Sequence, residues 1–208
     1  MSRILSWCRW WRTNAASLPV MRPADHAVDP PAGFRRALAE LRTLVPRSEI
    51  ELLEAPAPQR LAPYAIALTA DVIVDDEDRG TGRLVLLHDP DGQDAWEGAW
   101  RVVVFAKATL EPEMAGDEML SDVGWAFLNE ALADSGARLT AFGGTVTTTH
   151  SQPYGAMASR EPSVELELRA SWTPTDDEIA PHAVAWLALL GQMAGLEPIP
   201  PGVSQLRR

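Results

Sequence analysis

A chain of 208 residues, 46% hydrophobic and 23% charged, has the balance of one globular domain with enough apolar side chains for a core. No run of about 18 apolar residues occurs, so no helical membrane span is expected, and a formal net charge of −11 argues against direct nucleic-acid binding, because an acidic body repels a phosphate backbone. Cys8 is the sole cysteine, which excludes an internal disulfide and a cysteine zinc site and fits a reducing, cytoplasmic setting.

The charge is unevenly spread. Lysine occurs once, at Lys107, leaving 17 arginines among the 18 basic residues. Residues 1–22 hold Arg3, Arg9, Arg12 and Arg22 and no acid, so the remainder carries 14 basic and 29 acidic residues, or −15. Ile4, Trp7, Cys8 and Trp11 fall at helical spacing beside those arginines, a pattern that suits an amphipathic segment on an anionic membrane surface. The preferred reading is plainer: a flexible basic extension over 1–28, one domain over 29–203 and a short tail over 204–208.

Asp29-Pro30-Pro31 opens a first helix, with Phe34, Leu38, Leu41 and Val45 on one face and Pro46 ending it. Residues 55–63 are too proline-rich for a helix and read as an extended connector. From Pro63 to Leu110 the pattern is a three-stranded antiparallel meander. Tyr64, Ile66, Leu68, Val72 and Val74 keep an even spacing, Leu84 to Leu87 is a short apolar run, and Trp100 to Leu110 alternates strictly. Asp75 to Gly80 and His88 to Gly92 supply the two turns, being rich in residues that accept or fix turn dihedrals. Ser121 is expected to cap a second helix that buries Trp125, Leu128, Ala131 and Leu132 and stops at Gly136. Leu139 to Thr149 forms a fourth strand, with Gly143-Gly144 marking a bulge and Thr145, Thr147 and Thr149 on one side. Val164 to Trp172, alternating with Glu165, Glu167, Arg169 and Ser171, is a half-buried fifth strand. A last helix from about Pro181 buries Trp186, Leu187, Leu190 and Met193 and ends at Gly195 and Pro198.

The expected fold is therefore α+β: a five-stranded, mostly antiparallel sheet with three helices, in the order α-β-β-β-α-β-β-α. Ile66, Leu68, Val104, Leu128, Leu166, Leu168, Trp186 and Leu190 should be buried together.

Several stretches carry a resemblance: Pro58-Gln59-Arg60-Leu61-Ala62-Pro63-Tyr64, the run from Gly82 to Pro90, Leu110-Glu111-Pro112-Glu113-Met114, Val123-Gly124-Trp125, and Arg169-Ala170-Ser171-Trp172-Thr173-Pro174. Together, over roughly Phe34 to Val203, the chain resembles an uncharacterised actinobacterial family, a domain of unknown function. The resemblance implies a bacterial cytosolic protein and brings no activity, cofactor or catalytic residue. The element order is separately similar to that of type III secretion chaperones, a likeness of topology alone.

No G-x-S-x-G, phosphate-binding loop or G-x-G-x-x-G is present, so the well-marked enzyme classes find no support. His88-Asp89-Pro90-Asp91-Gly92 could hold a cation or exchange protons, yet turn chemistry alone explains each of its residues. Asp75 to Asp78 reads as a solvated turn, and Glu111, Glu113 and His150 lack a partner motif. No metal and no cofactor is expected. The favoured function is a non-enzymatic binding or adaptor protein acting through protein–protein contacts, with Trp96, Val103 and Phe105 as partner-binding candidates. The alternative is a small-ligand protein or unmarked enzyme with a pocket near the 88–92 loop and the 111–125 segment, lined by Arg60, His88, Asp91, Glu111 and Trp125. Because Val85, Leu87, Val103 and Phe105 make the sheet's outer face partly apolar, either the first helix crosses that face or a second copy covers it. A homodimer is the expectation.

Overall fold

The computed structural model describes residues 29–197. The basic extension over 1–28, its amphipathic pattern, and the 204–208 tail lie outside the described residues.

Among the described residues, three helices and six strands follow one another: α1 (Ala32–Arg42), β1 (Ile50–Ala55), β2 (Tyr64–Val74), β3 (Glu77–Gln93), β4 (Gly98–Leu110), α2 (Leu120–Asp134), β5 (Leu139–Ser151), β6 (Ser163–Pro174) and α3 (Ala180–Met193). Single 3-10 turns at Pro112–Gly116 and Gly155–Met157 join β4 to α2 and β5 to β6. The strands form one sheet in the order β1-β2-β3-β4-β6-β5, and every neighbouring pair is antiparallel. β6 therefore returns between β4 and β5, which leaves β1 and β5 as the two edges.

The sheet has six strands rather than five. The additional strand is β1, which pairs with β2 from Ile50↔Val72 to Ala55↔Ala67. Its pattern is irregular: Leu53 points outward and is 54% exposed, while Glu54 lies on the helix side and reaches Arg42 of α1 at 3.3 Å. An apolar residue out and an acid in erase the alternation that would reveal a strand.

Two turns differ from expectation. The first shrinks to Asp75 and Asp76, both with positive φ (51° and 63°), so β2 and β3 join through a tight two-residue hairpin whose handedness suits strand twist. The second is not at 88–92. β3 runs on to Gln93 and the chain reverses at 94–97, where Trp96 N donates to Gln93 O at 2.9 Å and Glu97 takes φ 59°. Residues 89–92 become a wide bulge between the His88↔Trp100 and Gln93↔Gly98 pairs. Asp89 organises it, accepting from Asp91 N at 3.2 Å and from Gln93 Nε2 at 3.0 Å.

Helix ends also differ. α1 closes at Arg42, and Val45 is 75% exposed rather than part of the apolar face. No side chain caps α1, so Asp29 has no such role, and α2 starts one residue before Ser121, after an Asp117 Oδ1 bond to Met119 N at 2.8 Å. α3 begins at Ala180, as the position of Pro181 requires.

All three helices lie on one face of the sheet. The eight expected core residues are all buried there, joined by Phe34, Trp100, Trp172 and Ile179. α1 is on this face too: Phe34 stacks on Trp100 and His88 rather than crossing the outer face. Part of the outer face is covered by the chain's own connector. Ala55, Ala57, Leu61 and Ala62 pack with Trp96 over Ala67, Val85, Leu87 and Val103.

Candidate interaction site

The two sheet edges are built differently. β1 has six residues, two of them glutamates (Glu51 and Glu54), and Pro56 follows at once. Short length, charge and proline are the usual means by which an edge strand refuses further pairing. β5 has 13 residues, Leu-Thr-Ala-Phe-Gly-Gly-Thr-Val-Thr-Thr-Thr-His-Ser, with no Asp, Glu, Lys, Arg or Pro among them. From Gly143 to Ser151 every residue but Val146 is exposed. β6 pairs with one side of β5 from Leu139↔Pro174 to Ser151↔Ser163, and the other side carries backbone N–H and C=O groups that no strand satisfies among the described residues.

The start of β5 is clamped. Its register shifts between Thr140 and Gly143, and Ala141 takes φ 47°, a conformation that an L side chain resists. Arg101 on β4 holds this bulge. Its Nη1 donates to Ala141 O at 2.9 Å and to Thr173 Oγ1 at 3.2 Å, and its Nη2 donates to Ser171 Oγ at 2.6 Å. Burial pushes the Arg101 pKa down, partly offset by the charge of Glu97. From the helix side, Trp125 of α2 stacks on Phe142 at 4.8 Å. A Cβ on Gly144 would collide with the Arg169 carbonyl and come within 2.9 Å of Trp125 Cζ3, so glycine is needed for α2 and β6 to approach so closely. Beyond this clamp the outer face of the strand is exposed, with Thr145, Thr147 and Thr149 pointing to it, while on the helix face Val146 packs against the core and Thr148 lies 3.5 Å from Ser121 of α2, hydroxyl to hydroxyl.

The five ligand-site candidates are not brought together. His88 is paired with Trp100 at the start of β4, whereas Glu111 follows the end of that strand, eleven residue steps beyond. At about 3.3 Å per step this separates them by about 36 Å. Glu111 accepts from Arg79 at 3.3 Å. His88 is buried on the helix face, 3.9 Å from the Trp100 ring, with Nδ1 3.2 Å from Ala99 O, and burial lowers its pKa. Asp91 lies exposed in the β3 bulge, Arg60 is exposed on the connector, and Trp125 forms the stack just described. Among the described residues, concavities open to solvent include a trough of about 460 Å³ on the outer face between Glu51, Asp71, Asp78 and Lys107, and a groove of about 290 Å³ beside α3 near Arg47 and Leu187. None of the five candidates lines either one.

Of the partner-binding candidates, Val103 is 8% exposed under the connector, and Trp96 folds over the same cluster. Phe105 stays half-buried on the outer face with the Arg169 guanidinium 5.6 Å above its ring. The second buried histidine, His182, had no signal in the sequence. It accepts a hydrogen bond from Trp172 Nε1 at 3.0 Å, and burial lowers its pKa to about 4. Among the described residues no three His, Cys, Asp or Glu side chains converge on a point, and no helix is long and apolar enough to cross a membrane.

The family model described as a protein of unknown function (DUF3000) matches residues 30–204, which includes every element of the sheet and all three helices. No curated protein and no solved structure matches the chain. With the match covering more than half of its length, the chain belongs to this family of proteins of unknown function.

Proposed function

We propose that the protein is a non-enzymatic binding or adaptor protein of the cytosol, and that it docks an extended segment of another polypeptide along the free edge of β5. The observation that carries this reading is the contrast between edges. β1 is short, charged and followed by proline, whereas β5 is long, uncharged and exposed over Gly143 to Ser151. Strand addition at such an edge draws affinity from main-chain hydrogen bonds and specificity from alternate side chains. The sole cysteine, Cys8, supports the cytosolic setting. The 17 arginines against one lysine fit a GC-rich, actinobacterial host.

The test is a photo-crosslinking residue placed at Thr147 in the native host, with the same residue at Thr81 of the outer face as the control. Adducts to polypeptide are expected from position 147 and not from position 81. Equal labelling from both positions, or none from 147, would refute the reading.

A further inference from the structure

We infer that the strand that docks on β5 is β5 of a second copy, paired antiparallel about a two-fold axis to give a continuous twelve-stranded sheet. This rests on reading β5 as the docking edge. Three observations select a second copy over an unrelated peptide.

The first is charge. The chain carries −11, so two copies repel wherever acidic surfaces meet, and a copy can approach closely only along a neutral strip. β5 is such a strip, with no formally charged residue over 13 positions. A basic peptide drawn by the acidic body would find no acid on β5 to register against.

The second is self-complementarity. Antiparallel pairing of one strand with its own copy places equivalent residues symmetrically about the axis, which is the geometry of a closed two-fold dimer. A centre at Thr147 sets Thr147 against itself and Thr145 against Thr149 on the outer face, with Val146 against Thr148 on the helix face. Each is a pairing of β-branched side chains, and threonine pairs across antiparallel strands are favourable.

The third is the placement of the clamp. The Arg101 network and the Trp125–Phe142 stack hold residues 141–144, which leaves the Thr145–Thr149 run straight and open at the middle of the proposed junction. The bulge sits at one end, where two copies would already be diverging.

The experiment is equilibrium sedimentation of the full chain over about 1–100 µM, at low and high salt, for the wild type and for Thr147→Glu/Thr149→Glu. Both threonines are exposed on the outer face, opposite Glu167 and Glu165 of β6, so the double variant should keep the monomer fold at a modest cost in stability, measured by its melting temperature and far-UV spectrum. The wild type should approach twice 22.7 kDa at high concentration, and more readily at high salt, where the net charge is screened. The variant, which sets acids against one another across the junction, should remain at 22.7 kDa or dimerise at least tenfold more weakly. Hydrogen exchange of 145–149 should slow with concentration in the wild type alone. A wild-type mass that stays at 22.7 kDa over the whole range overturns the inference, and so does a dimer that survives both substitutions. If the mass stays monomeric while Thr147 still crosslinks another protein in the host, self-pairing fails and the broader reading of β5 stands. If neither occurs, both fail.

Discussion

His182 offers a sharp test of the packing beneath α3. The ring is fully buried, and its Nδ1 accepts from the Trp172 indole N–H at 3.0 Å, so Nδ1 carries no proton. Its Nε2, which bears the proton of the neutral ring, is buried without a hydrogen-bond partner. Adding a second proton would break the Trp172 bond and place a cation in an apolar site, with the charge of Asp176 as a partial offset. Burial accordingly lowers the pKa from 6.5 to about 4. Above pH 6.5 the ring is neutral whether folded or not, and proton linkage costs nothing. As pH falls below 6.5 the unfolded chain binds a proton that the folded chain refuses, so stability drops. Below about 4 the native ring protonates as well, and the loss levels off at about 3 kcal/mol. Urea unfolding followed by tryptophan fluorescence across pH 7.5 to 4.5 reads this directly. Within the window the slope should approach about 1.4 kcal/mol per pH unit for one proton. His88, lowered by burial in the same direction, adds to it. In His182→Asn the Oδ1 can still accept from Trp172, at a cost of about 1–3 kcal/mol near neutral pH for the smaller side chain. The slope of that variant should be shallower by about one proton. Identical slopes for wild type and variant would refute the reasoning.

Leu168→Ala removes a fully buried side chain at the centre of the core and should cost about 2–5 kcal/mol in chemical denaturation; a loss under about half a kcal/mol would show that the cavity collapses or that β6 is not held there. Gly144→Ala forces a Cβ into the Arg169 carbonyl and the Trp125 ring and should cost about 1–3 kcal/mol, with amide exchange accelerating first in β5. Asp76→Gly relieves a positive φ in the two-residue hairpin and should raise stability by about 0.5–1 kcal/mol, a rise of a few degrees in melting temperature; a fall would mean that the Asp76 side chain stabilises the turn more than its backbone strains it. Arg36→Ala breaks an ion pair to Asp177 whose side chains are 55% and 61% exposed, so no more than about 1 kcal/mol should be lost.

Much of the fold was legible because strict alternation survives wherever one face of a strand is buried. Trp100 to Leu110 and Val164 to Trp172 declare their inward residues at every second position, and those residues meet in the core. β1 was hidden because Leu53 faces out and Glu54 faces in, so its place depends on the backbone ladder with β2. The 88–92 stretch misled because aspartate, proline and glycine serve a bulge as well as a turn, and only the bonds made by Asp89 separate the two. The candidate site shows the same limit. A charge-free, threonine-rich strand could be read from residues 139–151, but its status as an edge follows from β6 returning between it and β4, which no local pattern encodes. The ligand candidates scattered because nearness to an element's end does not say which end of the sheet that is.

Arg101 has a mechanical consequence. It stands on β4, passes beneath Ser171 and Thr173 of β6, and grips the Ala141 carbonyl on β5, so one guanidinium rivets three strands at a single end of the edge. The opposite end, toward Ser151, is held by its ladder to Ser163 and its neighbours and, among the described residues, by nothing comparable. Under a load applied through β5 the strand should therefore unzip directionally, starting at Ser151 and arresting at the rivet. Pulled from its far end, β5 should behave as a hinged strap, and the force required to tear it off the sheet should be set by the Arg101 rivet and the Trp125–Phe142 stack at that one end more than by the number of rungs.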